Sequence, residues 1–142
     1  MNLKININWQ IDKEKTVEQA KKVLFDCMVK MQELAVLNAP SDIGLLKSRI
    51  KFYPRNPGYL SYVLTDGVEY GVHVEYGTSP HYVSAKHLKD WARRVLGDEK
   101  AAYPVAKKIA LLGTDAHPFF RPALDQVKNV WVKRFWEQNL SK

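Results

Sequence analysis

The chain has 142 residues with a single cysteine, Cys27, so it fits one domain with a core of its own, no disulfide framework, and an inert buried thiol suited to a reducing cytoplasm. No apolar run approaches the ~20 residues that span a bilayer, and Met1-Asn2-Leu3-Lys4-Ile5-Asn6 alternates instead of forming a signal-peptide core; the expectation is a soluble, unprocessed protein without a membrane partner. The net charge of +7 is uneven, +1 over residues 1–40, 0 over 41–80 and +6 over 81–142, which fits a surface facing nucleic acid or an acidic partner, or else two solvated lysine-rich helices.

Leu3, Ile5, Ile7, Trp9 and Ile11 alternate with polar neighbours as in a half-buried strand. Thr16 and Gln19 form a capping-box pattern, and Val17, Ala20, Leu24, Cys27, Met28, Met31, Leu34 and Ala35 follow at helical steps, one apolar face over about five turns. Pro40 disfavours a helical Ala39 and ends that helix. Ser41 and Asp42 are suited to cap a short turn, and Gly44 permits a close approach or a backbone conformation denied to other residues. The segment Pro40, Asp42, Gly44, Leu46 therefore reads as a hinge between helix and sheet.

Ile50 and Phe52 mark the next strand, and Tyr59 to Thr65 another rich in β-branched and aromatic residues. Asp66-Gly67 predicts a two-residue hairpin turn, followed by Val68-Glu69-Tyr70-Gly71 and Val74-Glu75-Tyr76-Gly77; on a continuous strand both tyrosines would share one face. From Ser84 the period is helical again, through Leu88, Trp91, Ala92, Val95 and Leu96 to a stop at Gly97. Pro104 suits a first turn, so a second helix runs to Leu112 and ends at Gly113, giving a helical hairpin inserted at about 84–113. Pro122 opens a last helix with Leu124, Val127, Trp131 and Phe135 on its apolar stripe. The fold class is α+β: an antiparallel sheet with a long N-terminal helix, the inserted hairpin and a C-terminal helix, all in one domain over 1–142.

The residues do not assemble a catalytic motif. On a strand His73 and Glu75 would share a face with His81 close behind, a conceivable metal site, but a His-x-Glu deaminase needs paired cysteines downstream. Ser41, Ser48, Ser61, Ser79 and Ser84 lack a nucleophile-elbow context, Cys27 beside Asp26 lacks an electropositive neighbour, and the glycines stand singly, with no phosphate loop. The expectation is no enzyme, cofactor or metal. Aromatic residues do crowd the chain breaks, where large apolar area with a polar tip suits interfaces as well as core edges. Phe119-Phe120 between prolines is the clearest anchor, one ring expected inside and the other outside, and Trp136 lies beside the last helix's stripe.

Three segments occur in order: Ala39-Pro40 with Asp42-Ile43-Gly44-Leu45-Leu46, then Tyr70-Gly71 with Val74-Glu75-Tyr76-Gly77-Thr78, then Pro118-Phe119-Phe120-Arg121-Pro122-Ala123. Together they resemble the tail-component family of long-tailed bacteriophages, small neck proteins that join head to tail, over roughly residues 17 to 132. Ile43 stands where that pattern has Thr, Gly71 where it has Ala, and Phe120 where it has Leu. The resemblance implies a structural, non-enzymatic virion protein in a ring around the DNA channel, made in the host cytoplasm, whose partners are further copies of itself, the adjoining head-closure or connector and tail proteins, and packaged DNA by non-specific contact. Interface candidates are Tyr70, Glu75, Tyr76, Phe119, Phe120, Arg121 and Trp136, with Glu75 and Arg121 expected to pair within or between subunits. The alternative is a basic nucleic-acid-binding module using Arg93, Arg94, Lys107 and Lys108 on the helical hairpin.

Overall fold

The computed structural model describes residues 13–55 and 61–140, so the expected strand at Leu3–Ile11 and the start of the one at Tyr59 lie outside the described residues. The fold is α+β, dominated by helices, with one small antiparallel sheet. Helix α1 (Lys13–Asn38) is followed by α2 (Leu45–Arg49), strands β1 (Lys51–Pro54) and β2 (Tyr62–Thr65), and helix α3 (Gly71–Tyr76). Then come α4 (Ala85–Leu96), a 3₁₀ turn (Glu99–Ala101), α5 (Ala102–Leu112), and a last helix made of α6 (Phe120–Gln126), a π-helical segment (Val127–Trp131) and α7 (Val132–Leu140).

Helix α1 stops at Asn38, as Pro40 requires. It already runs from Lys13, so Thr16 is not its N-cap; Gln19, the other half of the expected capping box, donates from its side-chain amide to the Asn139 carbonyl at 3.3 Å instead, tying α1 to α7. The expected stripe of α1 faces the core over most of its length, with Cys27 and Ala35 buried and Met31 and Leu34 packed against the core; at its start Val17 is exposed, and Val23, off that stripe, is buried. One core cluster joins Ala35, Ala39, Leu46, Ile50, Phe119 and Ala123; the other joins Val23, Cys27 and Val127, with Trp131 and Phe135 packed against it. Burial, helped by the neighbouring Asp26 carboxylate, pushes the Cys27 thiol above its usual range, consistent with an unreactive core position.

The C-terminal helix turns Ala123, Val127, Trp131, Phe135 and Asn139 toward α1. These positions are spaced strictly by four. On an uninterrupted α-helix each such step drifts about 40°, and four steps would carry the stripe about 160° around the helix. The π turn, in which Val132 N–H reaches back to the Val127 carbonyl, takes one residue more per turn and undoes much of that drift. Leu124, expected on the stripe, is 41% exposed; the small Ala123 faces the core in its place. The helix also starts two residues before Pro122, which occupies its first turn, where the missing N–H costs nothing.

The sheet pairs Lys51 with Thr65 and Pro54 with Tyr62, and Ile50 belongs to the end of α2 instead of the strand. Asp66-Gly67 does not turn a hairpin. The Asp66 carboxylate accepts from Val68 N–H (3.2 Å) and Thr65 Oγ1 from Gly67 N–H (3.1 Å), so two side chains close a local turn. The chain then enters α3 where a strand was expected. A helix places Gly71 and Glu75, one turn apart, on the buried side and Val72 and Tyr76 outside. It also keeps Val74, next to Glu75, against the core, whereas a strand would turn those two neighbours to opposite faces.

Candidate functional site

The three segments that occur in order along the sequence converge on one core cluster. Phe119, the N-cap of the C-terminal helix, has no side-chain group able to cap it, and a helix start leaves backbone donors without intrahelical partners. Glu75, in the last turn of α3, supplies the acceptor. Its Oε2 takes Phe119 N–H at 2.7 Å and Phe120 N–H at 2.9 Å, and its Oε1 takes Arg121 N–H and Arg121 Nε, each at 3.0 Å. Arg121 also donates to the Glu75 backbone carbonyl and lies over the Tyr76 ring. Burial alone would raise the Glu75 pKa; the three backbone N–H bonds and the guanidinium outweigh it and hold the carboxyl below the ordinary range.

Two of the interface candidates are therefore interior. Glu75 is 4% exposed and Phe119 fully buried, stacked obliquely on Phe120 at 4.5 Å; neither is available to a neighbour, and the Glu75–Arg121 pair forms within the chain. Phe120 is half-buried against the core, while Tyr70, Tyr76, Arg121 and Trp136 are exposed.

At the hinge, Gly44 takes the left-handed conformation (φ +79°) ahead of α2 that its place in the sequence suggested, Leu46 is buried and Pro40 is exposed. Asp42 does not cap α2. Its two oxygens accept from Arg94 Nε and Nη2 at 2.9 and 2.7 Å, a bidentate clamp onto α4. The second attachment of the hairpin is a bridge between Thr78 and Thr114, where Gly77 and Gly113 bring two backbones together. Both have positive φ, and a Cβ on Gly113 would run into the Thr78 carbonyl. Between hairpin and body lies a cleft of 570 Å³ lined by Pro40, Ile43, Leu46, Tyr70, Trp91 and Val95, continuing past Val74 and His117 into one of 660 Å³ beside His73 and His81.

His73 and Glu75 sit on a helix, where positions two apart point away from one another, and among the described residues no group of three or more His, Cys, Asp or Glu is placed to hold a metal ion. Of the four basic candidates on the hairpin, Arg94 is clamped to Asp42, Arg93 pairs with Asp90 and Glu99, and Lys108 lies 3.5 Å from Asp115. Lys107 is exposed and forms no ion pair among the described residues. The capping role of Glu75 was not legible in its own segment; its signal was the pairing of a carboxylate with a distant helix start that lacks an acceptor of its own. Comparison of the chain with protein-family models, curated proteins and solved structures gives no match.

Proposed function

We propose that this chain is a structural, non-enzymatic protein of the head-tail connector, the neck, of a long-tailed bacteriophage, assembling as a ring that joins or completes the tail at the DNA-filled head. The observation that carries the reading is the Glu75 cap. It joins the second of the three resemblance-bearing segments to the third through four hydrogen bonds at 2.7–3.0 Å, so those residues have a mechanical purpose and need no substrate to explain them. Asp42 in the first segment likewise works as a latch. A ring of identical copies uses heterologous interfaces that close on themselves, with adjoining connector and tail proteins above and below and packaged DNA in the channel.

One observation favours the alternative, a nucleic-acid-binding module: Lys107, beside Lys108, is exposed and without an ion pair among the described residues, on a hairpin with a net charge of +4 over 84–113. Exposed ion pairs are cheap to exchange for phosphate contacts, so salt-sensitive binding of free duplex by the isolated chain is the signature of that module. The deciding experiment is electron microscopy of particles from a phage producer in which this gene is silenced, with a complemented control. DNA-filled heads beside unattached tails, rescued by complementation, are the expected result; normal infectious virions would reject the joining role.

A further inference from the structure

The helical hairpin is short of burial. Its helices pack chiefly on each other, and its buried side chains are those of Ala92, Ala102 and Ala106, while neither core cluster contains any hairpin residue. Leu88, Trp91, Val105 and Ile109 are half-buried, but on α5 three large apolar residues face outward: Tyr103 is 60% exposed, Leu111 65% and Leu112 71%. Tyr103, Lys107 and Leu111 follow at four-residue steps and so share one face of α5, with Lys108 and Leu112 on the adjoining row. That surface is apolar and basic, since α5 carries two lysines and no acid.

The opposite character occurs on the body. Residues 61–76 carry Asp66, Glu69 and Glu75 and neither Lys nor Arg; with Arg121 absorbed by Glu75, Asp66 and Glu69 leave this surface net acidic. Val72 and Tyr76, one turn apart on α3, are each 63% exposed, and with Asp66 and Leu124 they line a groove of 330 Å³. Glu69 stands two residues before Gly71, which also lines it.

We infer that α5 of one copy docks its Tyr103–Lys107–Leu111 face against the groove of Asp66, Val72, Tyr76 and Leu124, with Glu69 beside it, on a second copy. The occupant is another copy of this chain because the two surfaces complement each other in charge and apolar character, whereas two hairpins face to face would oppose like charges. The contact is head-to-tail, leaving each copy with one unused surface of each kind, which is the geometry that closes a ring. This deepens the ring reading and rests on it for the closure, not for the contact.

The test mixes two single-cysteine versions of the full chain in a Cys27→Ala background, one carrying Glu69→Cys and the other Lys107→Cys, with a short bis-maleimide. Covalent heterodimers in the mixture, with few homodimers from either version alone, are expected. In the native-cysteine chain, Lys107→Glu should weaken self-association at least about tenfold by sedimentation, since it sets like charges opposite one another, and Lys107→Glu mixed with Glu69→Lys should recover it. Absence of mixed crosslinks with a monomer at all concentrations, or crosslinks between two Lys107→Cys copies, would overturn the interface. Mixed crosslinks from a protein whose silencing leaves normal virions would reject the neck reading and keep the interface.

Discussion

Replacing Glu75 removes the acceptor for the N–H groups of Phe119, Phe120 and Arg121 and the partner of the Arg121 guanidinium at once. A hydrogen bond to a charged group contributes about 1.5–3 kcal/mol net, but the four do not simply add. The Arg121 side chain is 51% exposed, so water replaces much of its share, whereas Phe119 N–H lies at a fully buried residue. Loss of one partner from a buried charged pair costs about 3–5 kcal/mol, and the exposed side of this one places Glu75→Ala near the bottom of that range, about 3 kcal/mol. For a chain of this size that is a fall in melting temperature of about 10 °C. Glu75→Gln keeps one acceptor oxygen but turns an amide donor toward backbone donors, and is expected to lose about 2 kcal/mol. Thermal and urea unfolding of the three proteins reads both values. A Glu75→Ala protein within about 0.5 kcal/mol of the parent would refute the cap as the device that joins α3 to the C-terminal helix.

The same carboxyl makes stability depend on pH. Its folded-state pKa is below the ordinary 4.5, so its contribution is complete above that value and is lost as pH falls through the folded pKa; urea titrations from about pH 6 to about pH 3 should show a steeper loss in the parent than in Glu75→Gln. Gly113→Ala forces a side chain into positive φ and against the Thr78 carbonyl, for about 2–4 kcal/mol of local strain and crowding, and hydrogen exchange should quicken first in α4 and α5. Deleting the exposed Asn129 turns the π segment into a plain α turn, so the fold should survive with stability within about 1 kcal/mol; loss of cooperative unfolding would refute the π turn as the corrector of the stripe.

The sequence was most legible where backbone punctuation decides the structure. Pro40 ended α1, Gly97 and Gly113 ended the hairpin helices, and the helical period of 85–96 matched an element, because each depends on residues within a turn of one another. It was least legible where a side chain acts across the chain. Val74 and Tyr76 favour strand by composition, yet the α3 helix is retained by a carboxylate whose partners lie 44 to 46 residues on. The π segment did leave a trace, the four-residue spacing of Val127, Trp131 and Phe135, but only the buried Ala123 completes it. The exposure of Val95 and Leu96, which share one apolar side of α4 with Leu88, Trp91 and Ala92, follows from how little body there is to pack against.

These placements separate what the three segments do from what the surface does. Asp42, Glu75 and Phe119 are satisfied within the chain, so substituting them perturbs assembly chiefly through the fold. Lys107 and Glu69 make no ion pair among the described residues and are exposed, so substituting them perturbs assembly with the fold intact. The hairpin follows from the same division. An interior of alanines lets its two helices approach closely but removes little apolar area from water, and slender attachments, among them the Asp42–Arg94 clamp, the Thr78–Thr114 bridge and the bond from His81 N–H to the Ile109 carbonyl, connect it to the body. A lobe built this way gains most when a neighbour covers Tyr103, Leu111 and Leu112. Its hydrogen-exchange protection should therefore rise on self-association, while that of α1 and α6, already held by the two core clusters, stays unchanged.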